Sequence, residues 1–337
     1  MKLNMLSRPR RNRRSPAIRS LLRETTLTPD QLVLPLFLVE GENIEEEVTS
    51  LPGTFRRSAD RLLDFLGESM ELGLKRFILF PAVKETHKNK RASYGHRPGN
   101  FYLQAAEAIK TQYPDCCLIS DVAMDPYSSD GHDGLVEGGK ILNDETLPIL
   151  CEMGLAQARA GFDYLGPSDM MDGRVQALRE ALDEEGFAGT GILSYTAKYA
   201  SAFYGPFRDA LDSAPREGEN IPNDKKTYQM DPANKREALR EAELDELEGA
   251  DILMVKPALH YLDVIHLLRE ESQLPIAAYH VSGECAMLLA AAHNGWLAYD
   301  QAMPETLLSL RRAGADVILT YFAYDYARMY QDGLLGG

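Results

Sequence analysis

Short apolar segments alternate with longer amphipathic segments over most of the chain. Each apolar segment holds four to eight residues rich in Leu, Ile and Val, which is typical of strands buried on both faces. We predict strands at 32–39, 76–81, 116–122, 162–165, 189–194, 252–255, 275–279 and 317–321. The segments between them carry apolar residues at helical spacing. They predict helices at 58–72, 100–112, 144–160, 175–184, 235–247, 261–271, 284–298 and 305–313.

Eight strands alternating with eight helices predict a (β/α)8 TIM barrel, in which the active site lies where the strands end. The alternative is a doubly wound open sheet. That fold carries a G-x-G-x-x-G turn after its first strand, whereas residues 38–42 (LVEGE) contain a single glycine. We therefore assign residues 31–337 to a catalytic barrel and residues 1–30 to an N-terminal arm.

A lysine follows two of the predicted strands. Lys256 comes directly after strand 252–255 and before Pro257, so we expect it at the C-terminal edge of the barrel. Most lysines are solvated, but burial there would lower the pKa and produce an amine that forms imines with carbonyl compounds. Lys198 follows the fifth strand. If the two strands are neighbours, each ammonium group lowers the pKa of the other.

Acidic residues are concentrated after the third and fourth strands. Residues 121–134 (DVAMDPYSSDGHDG) contain four aspartates and a histidine, which could bind a cation, act as acid and base, or belong to a polar turn. The spacing excludes an EF-hand, and oxygen ligands would favour Mg²⁺ over Zn²⁺. After the fourth strand, Ser168 can cap the next helix, and Asp169 and Asp172 suit the positive end of that helix's dipole.

A long segment without apolar periodicity, residues 199–234, separates the fifth strand from the next helix. Loops of this length are usually active-site lids or disordered segments. Its residues Arg208, Lys225 and Gln229 could hold a carboxylate, and the alternative is a solvated loop. The loop at 88–94 is basic and aromatic, and could be a lid, a surface or a subunit contact.

Composition narrows the class of protein. A formal charge of −15 argues against general affinity for nucleic acid, and no apolar segment is long enough to span a bilayer. The four cysteines lack CxxC spacing, which indicates a reducing compartment, and without a long serine-rich leader we expect a cytoplasmic, bacterial-type protein. The arginine-rich residues 8–14 could be a transit peptide, a flexible arm, or a contact with a neighbouring subunit.

Five motifs carry a resemblance to a known family. They are DILMVKPALHY (251–261), SYTAKYASAFYGPFRD (194–209), PSDMMDGR (167–174), residues 121–134 and residues 281–286. Together they resemble the porphobilinogen synthase family, also called 5-aminolevulinate dehydratase. The resemblance implies a TIM barrel whose N-terminal arms hold together a homo-octamer. It also implies condensation of two 5-aminolevulinate molecules to porphobilinogen, with loss of two waters, in tetrapyrrole biosynthesis.

Residue roles follow from the same resemblance, position by position. Lys256 is expected to form an imine with the propionate-side substrate, and Lys198 with the acetate-side substrate. The other expected substrate-binding residues are Ser282 and Tyr321 at the propionate-side carboxylate, Arg208, Lys225 and Gln229 at the acetate-side carboxylate, and Ser168, Asp121 and Asp169 around the propionate-side amino group.

Metal use is expected to differ from that of zinc-dependent relatives. Those members have cysteines where this chain has Ala123, Asp125 and Asp133, so no catalytic zinc is expected. The sequence resembles the magnesium-responsive group, in which Glu241 would belong to an allosteric Mg²⁺ site. The resemblance leaves open whether Asp125 and Asp133 hold K⁺ or Mg²⁺ during turnover. The rival functions are an imine-forming aldolase, which needs one lysine and a phosphate pocket, and a nucleic-acid-binding or assembly protein with a basic arm.

Overall fold

A computed structural model describes residues 5–216, 218 and 220–335, and eight parallel strands in it close into a barrel. The strands are β1 (Leu32–Val39), β2 (Glu45–Glu47), β3 (Phe55–Arg57), β4 (Arg76–Ala82), β5 (Cys117–Ile119), β6 (Leu135–Glu137), β7 (Lys140–Leu142), β8 (Tyr164–Leu165), β9 (Gly191–Lys198), β10 (Ile252–Lys256), β11 (Ile276–His280) and β12 (Val317–Thr320). The barrel order is β1-β4-β5-β8-β9-β10-β11-β12, and β12 pairs with β1 through Leu32 and Ile318. The predicted TIM barrel is confirmed.

Helices separate the barrel strands along the chain. They are α1 (Pro16–Leu21), α2 (Ala59–Glu71), α3 (Phe101–Gln112), α4 (Asn143–Arg159), α5 (Arg174–Glu184), α6 (Gly205–Leu211), α7 (Glu237–Leu247), α8 (Leu262–Glu271), α9 (Ser282–His293), α10 (Tyr299–Ala313) and α11 (Ala323–Gln331). A typical example is α2, which buries Leu62, Leu66 and Ser69 on one face and exposes charged residues on the other. Each of the eight predicted helices is present.

The chain ends in a helix that was not predicted. Helices α9 and α10 both lie between β11 and β12, as their predicted bounds placed them, and the additional helix α11 follows β12. The buried face of α11 consists of Ala323, Tyr326, Ala327 and Met329. These buried positions keep helical spacing but contain no Leu, Ile or Val, and for this reason the helix was overlooked in the sequence.

Two short antiparallel hairpins interrupt the alternation as well. The hairpin of β2 and β3 follows β1, and the hairpin of β6 and β7 precedes α4. Strand β2 consists of three exposed glutamates, so it carries no apolar pattern that could have predicted it. Both hairpins belong to the loops at the C-terminal ends of the barrel strands, where active sites of this fold lie.

The N-terminal arm has few contacts with the barrel from Met5 to Thr26. It contains a 3₁₀ turn at Pro9–Arg13 and helix α1, and neither buries a residue. The chain joins the barrel at Leu27, whose carbonyl accepts a hydrogen bond of 2.9 Å from the Tyr326 hydroxyl. The role predicted for the arm in subunit contacts stays a prediction, and residues 1–4 of the arm lie outside the described residues.

No helix among the described residues is both long enough and apolar enough to cross a membrane.

Candidate active site

Lys198 and Lys256 are the last residues of two neighbouring parallel strands. They occupy paired positions in the register of β9 and β10, and each side chain is about one-twentieth exposed. Strand β9 extends four residues past its predicted end at 194, so Lys198 lies inside the strand and does not follow it. The structure therefore brings the two lysines together at the C-terminal rim of the barrel.

Lys256 lies among aromatic rings. Its Nζ is 4.5 Å from the ring centre of Tyr279, 5.0 Å from those of Tyr195 and Phe207, and 5.4 Å from that of Tyr204. Burial, together with the positive charge of Lys198, lowers the pKa of Lys256 to about 7. The free amine of Lys256 is therefore populated near neutral pH, and the free amine is the form that attacks a carbonyl carbon.

A β-bulge in β9 sets the direction of these side chains. Ser194 pairs with Leu253 and Ala197 with Val255, so β9 has one more residue than β10 over this stretch. The Ser194 hydroxyl points out of the barrel, where it donates to Asp245 of α7 at 2.6 Å. Because of the extra residue, both Tyr195 and Lys198 face inward although they are three positions apart.

Lys198 faces the acidic side of the site. Its Nζ donates to the carbonyl oxygen of Ser168 and lies 3.9 Å from Asp133 Oδ1. Burial and the neighbouring charge of Asp125 raise the pKa of Asp121 to about 7. Burial raises the pKa of Asp169 to about 6, although Arg174 opposes this effect. Two buried carboxyl groups near Lys198 can thus exchange protons close to neutral pH.

Asp125 and Asp133 hold the ammonium group of Lys225. The Lys225 Nζ lies 3.0 Å from Asp125 Oδ2 and 2.9 Å from Asp133 Oδ2. Burial alone would raise the pKa of Asp133, but Lys198 and Lys225 outweigh it and hold that pKa well below the usual range. Burial and repulsion from Asp133 raise the pKa of Asp125. Among the described residues, no three His, Cys, Asp or Glu side chains are grouped closely enough to hold a metal ion.

The segment at 199–234 covers the lysines, and we refer to it as the lid. Its ends are tied to the backbone of the two lysines: Tyr199 N–H donates to Lys256 O at 2.9 Å, and Met230 N–H donates to Lys198 O at 3.0 Å. Arg208, Lys225 and Gln229 line a cavity of about 30 Å³ above the lysines, which has room for one or two water molecules. A ligand larger than that requires the lid or its side chains to move. Two lid positions, 217 and 219, lie outside the described residues.

Ser282 and Tyr321 each contact a residue that in turn contacts Lys256. The Ser282 hydroxyl accepts a hydrogen bond of 3.0 Å from the Phe207 N–H, and the Tyr321 hydroxyl lies 3.2 Å from that of Tyr279. The rings of both intervening residues contact the Lys256 ammonium. Both hydroxyl groups therefore lie close to the aromatic residues that surround Lys256.

Glu241 lies apart from the lysines, on α7 outside the barrel. It lines a groove of about 630 Å³ between that helix and the lid, together with Asp172 and Glu237. Burial raises the pKa of Glu241 to about 6, with Arg174 opposing this effect and the nearby carboxylates adding to it. The groove also contacts Gln229 and Met230 of the lid. A cation bound there would touch both α7 and the lid.

Aromatic residues of the site, Tyr204 among them, were not singled out in the sequence. Tyr204 places its hydroxyl 3.1 Å from Lys256 O and its ring beside the Lys256 ammonium. His132, the histidine of the acidic loop 121–134, bonds to Tyr228 and Pro222 of the lid. Lys88 belongs to the loop at 88–94, for which the sequence left three roles open, and it donates a hydrogen bond of 3.0 Å to the carbonyl oxygen of Asp212 in the lid. Tyr204 comes six residues after Lys198 in the sequence. This short separation was the signal that could have identified Tyr204 as a residue of the site.

A family model, curated relatives and a solved structure all point to one protein family. Residues 6–329 match the family model described as delta-aminolevulinic acid dehydratase. The chloroplastic delta-aminolevulinic acid dehydratase of Oryza sativa is 53% identical over 97% of this chain and 76% of its own length. The enzyme of the same name from Bradyrhizobium diazoefficiens is 50% identical over 95% and 90%.

A solved structure is similar over nearly the whole chain. It is the delta-aminolevulinic acid dehydratase (porphobilinogen synthase) of Toxoplasma gondii in complex with the reaction product porphobilinogen. It superposes with a TM-score of 0.95 at 51% sequence identity, covering 98% of this chain and 94% of its own. The similarity in structure and the similarity in sequence therefore extend over nearly the same residues and point to the same family.

These relatives overturn the predicted cytoplasmic location. Relatives from Oryza sativa, Chlamydomonas reinhardtii and Arabidopsis thaliana are all named chloroplastic, and they match at least as well as the bacterial relative. The prediction relied on the residues at the start of the sequence, and these carry no information about the compartment.

Proposed function

Because this chain belongs to the delta-aminolevulinic acid dehydratase family, we propose that Lys256 and Lys198 bind two molecules of 5-aminolevulinate as imines and join them into porphobilinogen. The reaction is an asymmetric condensation that releases two waters, and the chain is a lyase of porphyrin biosynthesis. Each lysine amine replaces the ketone oxygen of one substrate, which leaves as water. The imine acidifies the neighbouring carbon and so permits an enamine and a carbon–carbon bond to form.

The observation that carries this proposal is the pair of buried lysines in register on β9 and β10. An imine-forming aldolase needs only one such lysine, and a second buried cation beside it would be unfavourable without a function. Two covalent anchors hold two identical substrates in different orientations, as an asymmetric condensation requires. The apolar surroundings of Lys256 favour the free amine, so we assign the first imine to Lys256.

The surrounding polar groups are proposed to bind the ends of the substrates. Ser282 and Tyr321, on the side of Lys256, would bind the propionate-side carboxylate. Three cationic or amide groups of the lid, Arg208, Lys225 and Gln229, would bind the acetate-side carboxylate. Ser168, Asp121 and Asp169 would surround the propionate-side amino group. Among these, Asp121 has the pKa best suited to moving a proton at neutral pH.

We propose that Lys225 takes the place of a metal ion at Asp125 and Asp133. Zinc prefers thiolate and imidazole ligands, and here two carboxylates are instead neutralised by an ammonium group. When Lys225 moves to a substrate carboxylate, the aspartates lose their counter-ion. A monovalent cation or Mg²⁺ could then replace it during turnover, since both prefer oxygen ligands.

We propose an allosteric Mg²⁺ site at Glu241, as in the magnesium-responsive group of the family. The donor set fits this ion, because Mg²⁺ is usually held by one or two carboxylates and keeps several waters. Glu241 would bind the ion directly, and Glu237 and Asp172 line the same groove beside the lid, where they would contact its waters. Bound Mg²⁺ would favour the ionised form of Glu241, whose pKa burial raises.

We also propose that the N-terminal arm joins subunits into a homo-octamer. The arm is exposed and basic over residues 8–14, while the whole chain carries a charge of −15. A basic arm is attracted to the acidic surface of a second copy. Leu21 and Leu22 are exposed in α1 and directly after it, and would be buried by such a contact.

The purified chain, incubated with 5-aminolevulinate, is expected to produce porphobilinogen, and Lys256→Ala is expected to lose at least about a thousandfold in rate. The matched control is Lys226→Ala, since Lys226 is a lid lysine whose side chain is 76% exposed. Normal turnover by folded Lys256→Ala would contradict the assignment of Lys256. Absence of product from the wild-type protein would contradict the function itself.

A further inference from the structure

The N-terminus of α9 lies directly against the first half of the lid. The Ser282 hydroxyl accepts the Phe207 N–H at 3.0 Å, and Gly283 faces the backbone of Phe203. A Cβ atom added to Gly283 would fall 2.8 Å from the carbonyl carbon and Cα of Phe203, and closer still to the carbonyl oxygen. Such contacts are essentially never seen for a real Cβ, so this approach requires glycine.

Backbone conformation does not explain this glycine. Gly283 is not among the glycines with positive φ, and it lies in the first turn of a regular helix. Alanine would therefore be favoured in α9 by its intrinsic helix propensity. Close packing against the lid is the remaining reason for a residue without a side chain.

Phe203 also contacts the ring of His260, and Glu284 fixes the position of that ring. Its fully buried carboxylate accepts hydrogen bonds from Leu259 N–H at 2.8 Å and Val281 N–H at 3.0 Å, and lies 3.3 Å from His260 Nδ1. It thereby joins the turn after Lys256 to the start of α9. The His260 ring stacks on the Phe203 ring at a centre-to-centre distance of 4.3 Å.

We propose that Gly283 and Glu284 are positioning residues that form a seat for Phe203 and thereby hold the lid closed over the lysines. Gly283 admits the Phe203 backbone, and Glu284 fixes His260 against the Phe203 ring. Helix α6, which begins two residues later, carries Phe207 and Arg208 into the site. The seat therefore determines where Arg208 lies.

The seat also links the two substrate positions, an extension that rests on the carboxylate-binding roles proposed above. A serine hydroxyl has one hydrogen to donate and accepts at its oxygen. Ser282 can therefore donate to a propionate-side carboxylate while it continues to accept from the Phe207 N–H of the lid. Binding of the first substrate therefore does not require the Ser282–Phe207 hydrogen bond to break, even though other lid side chains move to make room, and Arg208 remains placed for the second carboxylate.

Gly283→Ala tests the seat, with Gly205→Ala as the matched control. Gly205 begins α6 at φ −48°, and an added Cβ there meets no atom within 4 Å. Hydrogen–deuterium exchange without substrate is measured for a peptide over residues 203–211 and a peptide over α8. We expect Gly283→Ala to speed exchange about tenfold in the 203–211 peptide only, and Gly205→Ala to leave it unchanged. The KM for 5-aminolevulinate is expected to rise about tenfold in Gly283→Ala while Lys256 is still trapped at saturating substrate.

His260→Ala provides a second test if Gly283→Ala does not fold, because the His260 side chain is 43% exposed. We expect faster exchange over residues 203–211 and a higher KM, and we expect His260→Phe to restore both by restoring the stack. Wild-type exchange and KM in folded Gly283→Ala, or in His260→Ala, would overturn the proposal. The exchange result does not depend on catalysis, so failure of the proposed function would be seen separately, as missing product from the wild-type protein.

Discussion

Lys256 owes its reactivity to the groups around it. Four aromatic rings exclude water from its ammonium group, and Lys198 adds a like charge on the neighbouring strand. Asp121, Asp125 and Asp133 oppose these effects, and the balance leaves the pKa near 7. A lysine whose pKa is lowered toward neutrality can attack a ketone as the free amine and, after the reaction, leave it again.

The sign of this shift predicts the pH dependence of imine formation. Folding lowers the pKa of Lys256 from 10.5 to about 7, so its ammonium form predominates below pH 7 and its free amine above it. The rate of imine formation is expected to rise about tenfold per pH unit below neutrality and to level off above it. Samples exposed briefly to 5-aminolevulinate at varied pH and then reduced at one fixed pH measure this step alone. A rate that keeps rising to pH 10 would indicate an ordinary lysine and contradict the shift.

Local sequence pattern predicted the two lysines at the barrel rim, but it did not predict the contacts that their surroundings make. An apolar strand followed by Lys256 and Pro257 indicates a lysine at the barrel rim from local pattern alone. The ion pair between Lys225 and Asp125 joins positions 100 residues apart, and the Glu284 carboxylate bonds 25 residues back to Leu259. Such contacts depend on how strand ends meet in space, and no local periodicity encodes them.

At the scale of elements, the loop after β5 is joined to the lid by charged side chains, at the position where we propose that Lys225 takes the place of a metal ion. Residues 121–134 contain no cysteine, and Asp125 and Asp133 bind Lys225 from the lid. The loop and the lid are thereby joined by an internal ion pair. An ion pair buried this deeply costs desolvation, and it persists because both aspartates and the lysine satisfy one another.

The donor set predicts that zinc is dispensable. Dialysis against a zinc-selective chelator, followed by assay in the presence of Mg²⁺, is expected to leave the rate of porphobilinogen formation within about twofold of the untreated enzyme. Metal analysis of the dialysed sample provides the control that zinc has been removed. A loss of activity that only added zinc restores would show that zinc binds a site with other ligands.

The elements themselves were predicted to different degrees. Strand β1 and helices α2 to α5 follow the hydrophobic pattern within one or two residues. The end of β9 was missed because the bulge adds a residue to this strand. Beyond it, Tyr195, Thr196 and Lys198 no longer follow the alternation of inward and outward residues that predicts a strand. The β2–β3 hairpin was missed because its polar residues resemble a loop.

At the scale of the whole molecule, the closed barrel brings residues from six strand ends to one rim. Asp121, Ser168, Lys198, Lys256, Ser282 and Tyr321 follow or end β5, β8, β9, β10, β11 and β12. Alternation of strands and helices was enough to predict this arrangement, since any TIM barrel gathers its strand ends. The hydrophobic pattern does not predict how subunits assemble, because contacts between copies of the chain leave no periodicity within one chain.

The magnesium proposal predicts a change in assembly. Adding Mg²⁺ is expected to stimulate the wild-type enzyme and to shift it toward the larger oligomer, because the ion would hold α7 and the lid together. Glu241→Ala is expected to lose both responses and to keep its basal activity, and Glu246→Ala serves as a control on the same helix. Size-exclusion chromatography with light scattering, with and without Mg²⁺, measures the shift. Equal responses of wild type and Glu241→Ala would remove this site.

The central claim is that both strand-end lysines form imines with the substrate, and borohydride trapping tests it most directly. The purified protein is incubated with 5-aminolevulinate, reduced, digested and analysed by mass spectrometry. We expect adducts on Lys256 and Lys198 and on no other lysine, with Lys256 modified first at low substrate concentration. Folded, active protein in which both lysines stay unmodified would contradict the account.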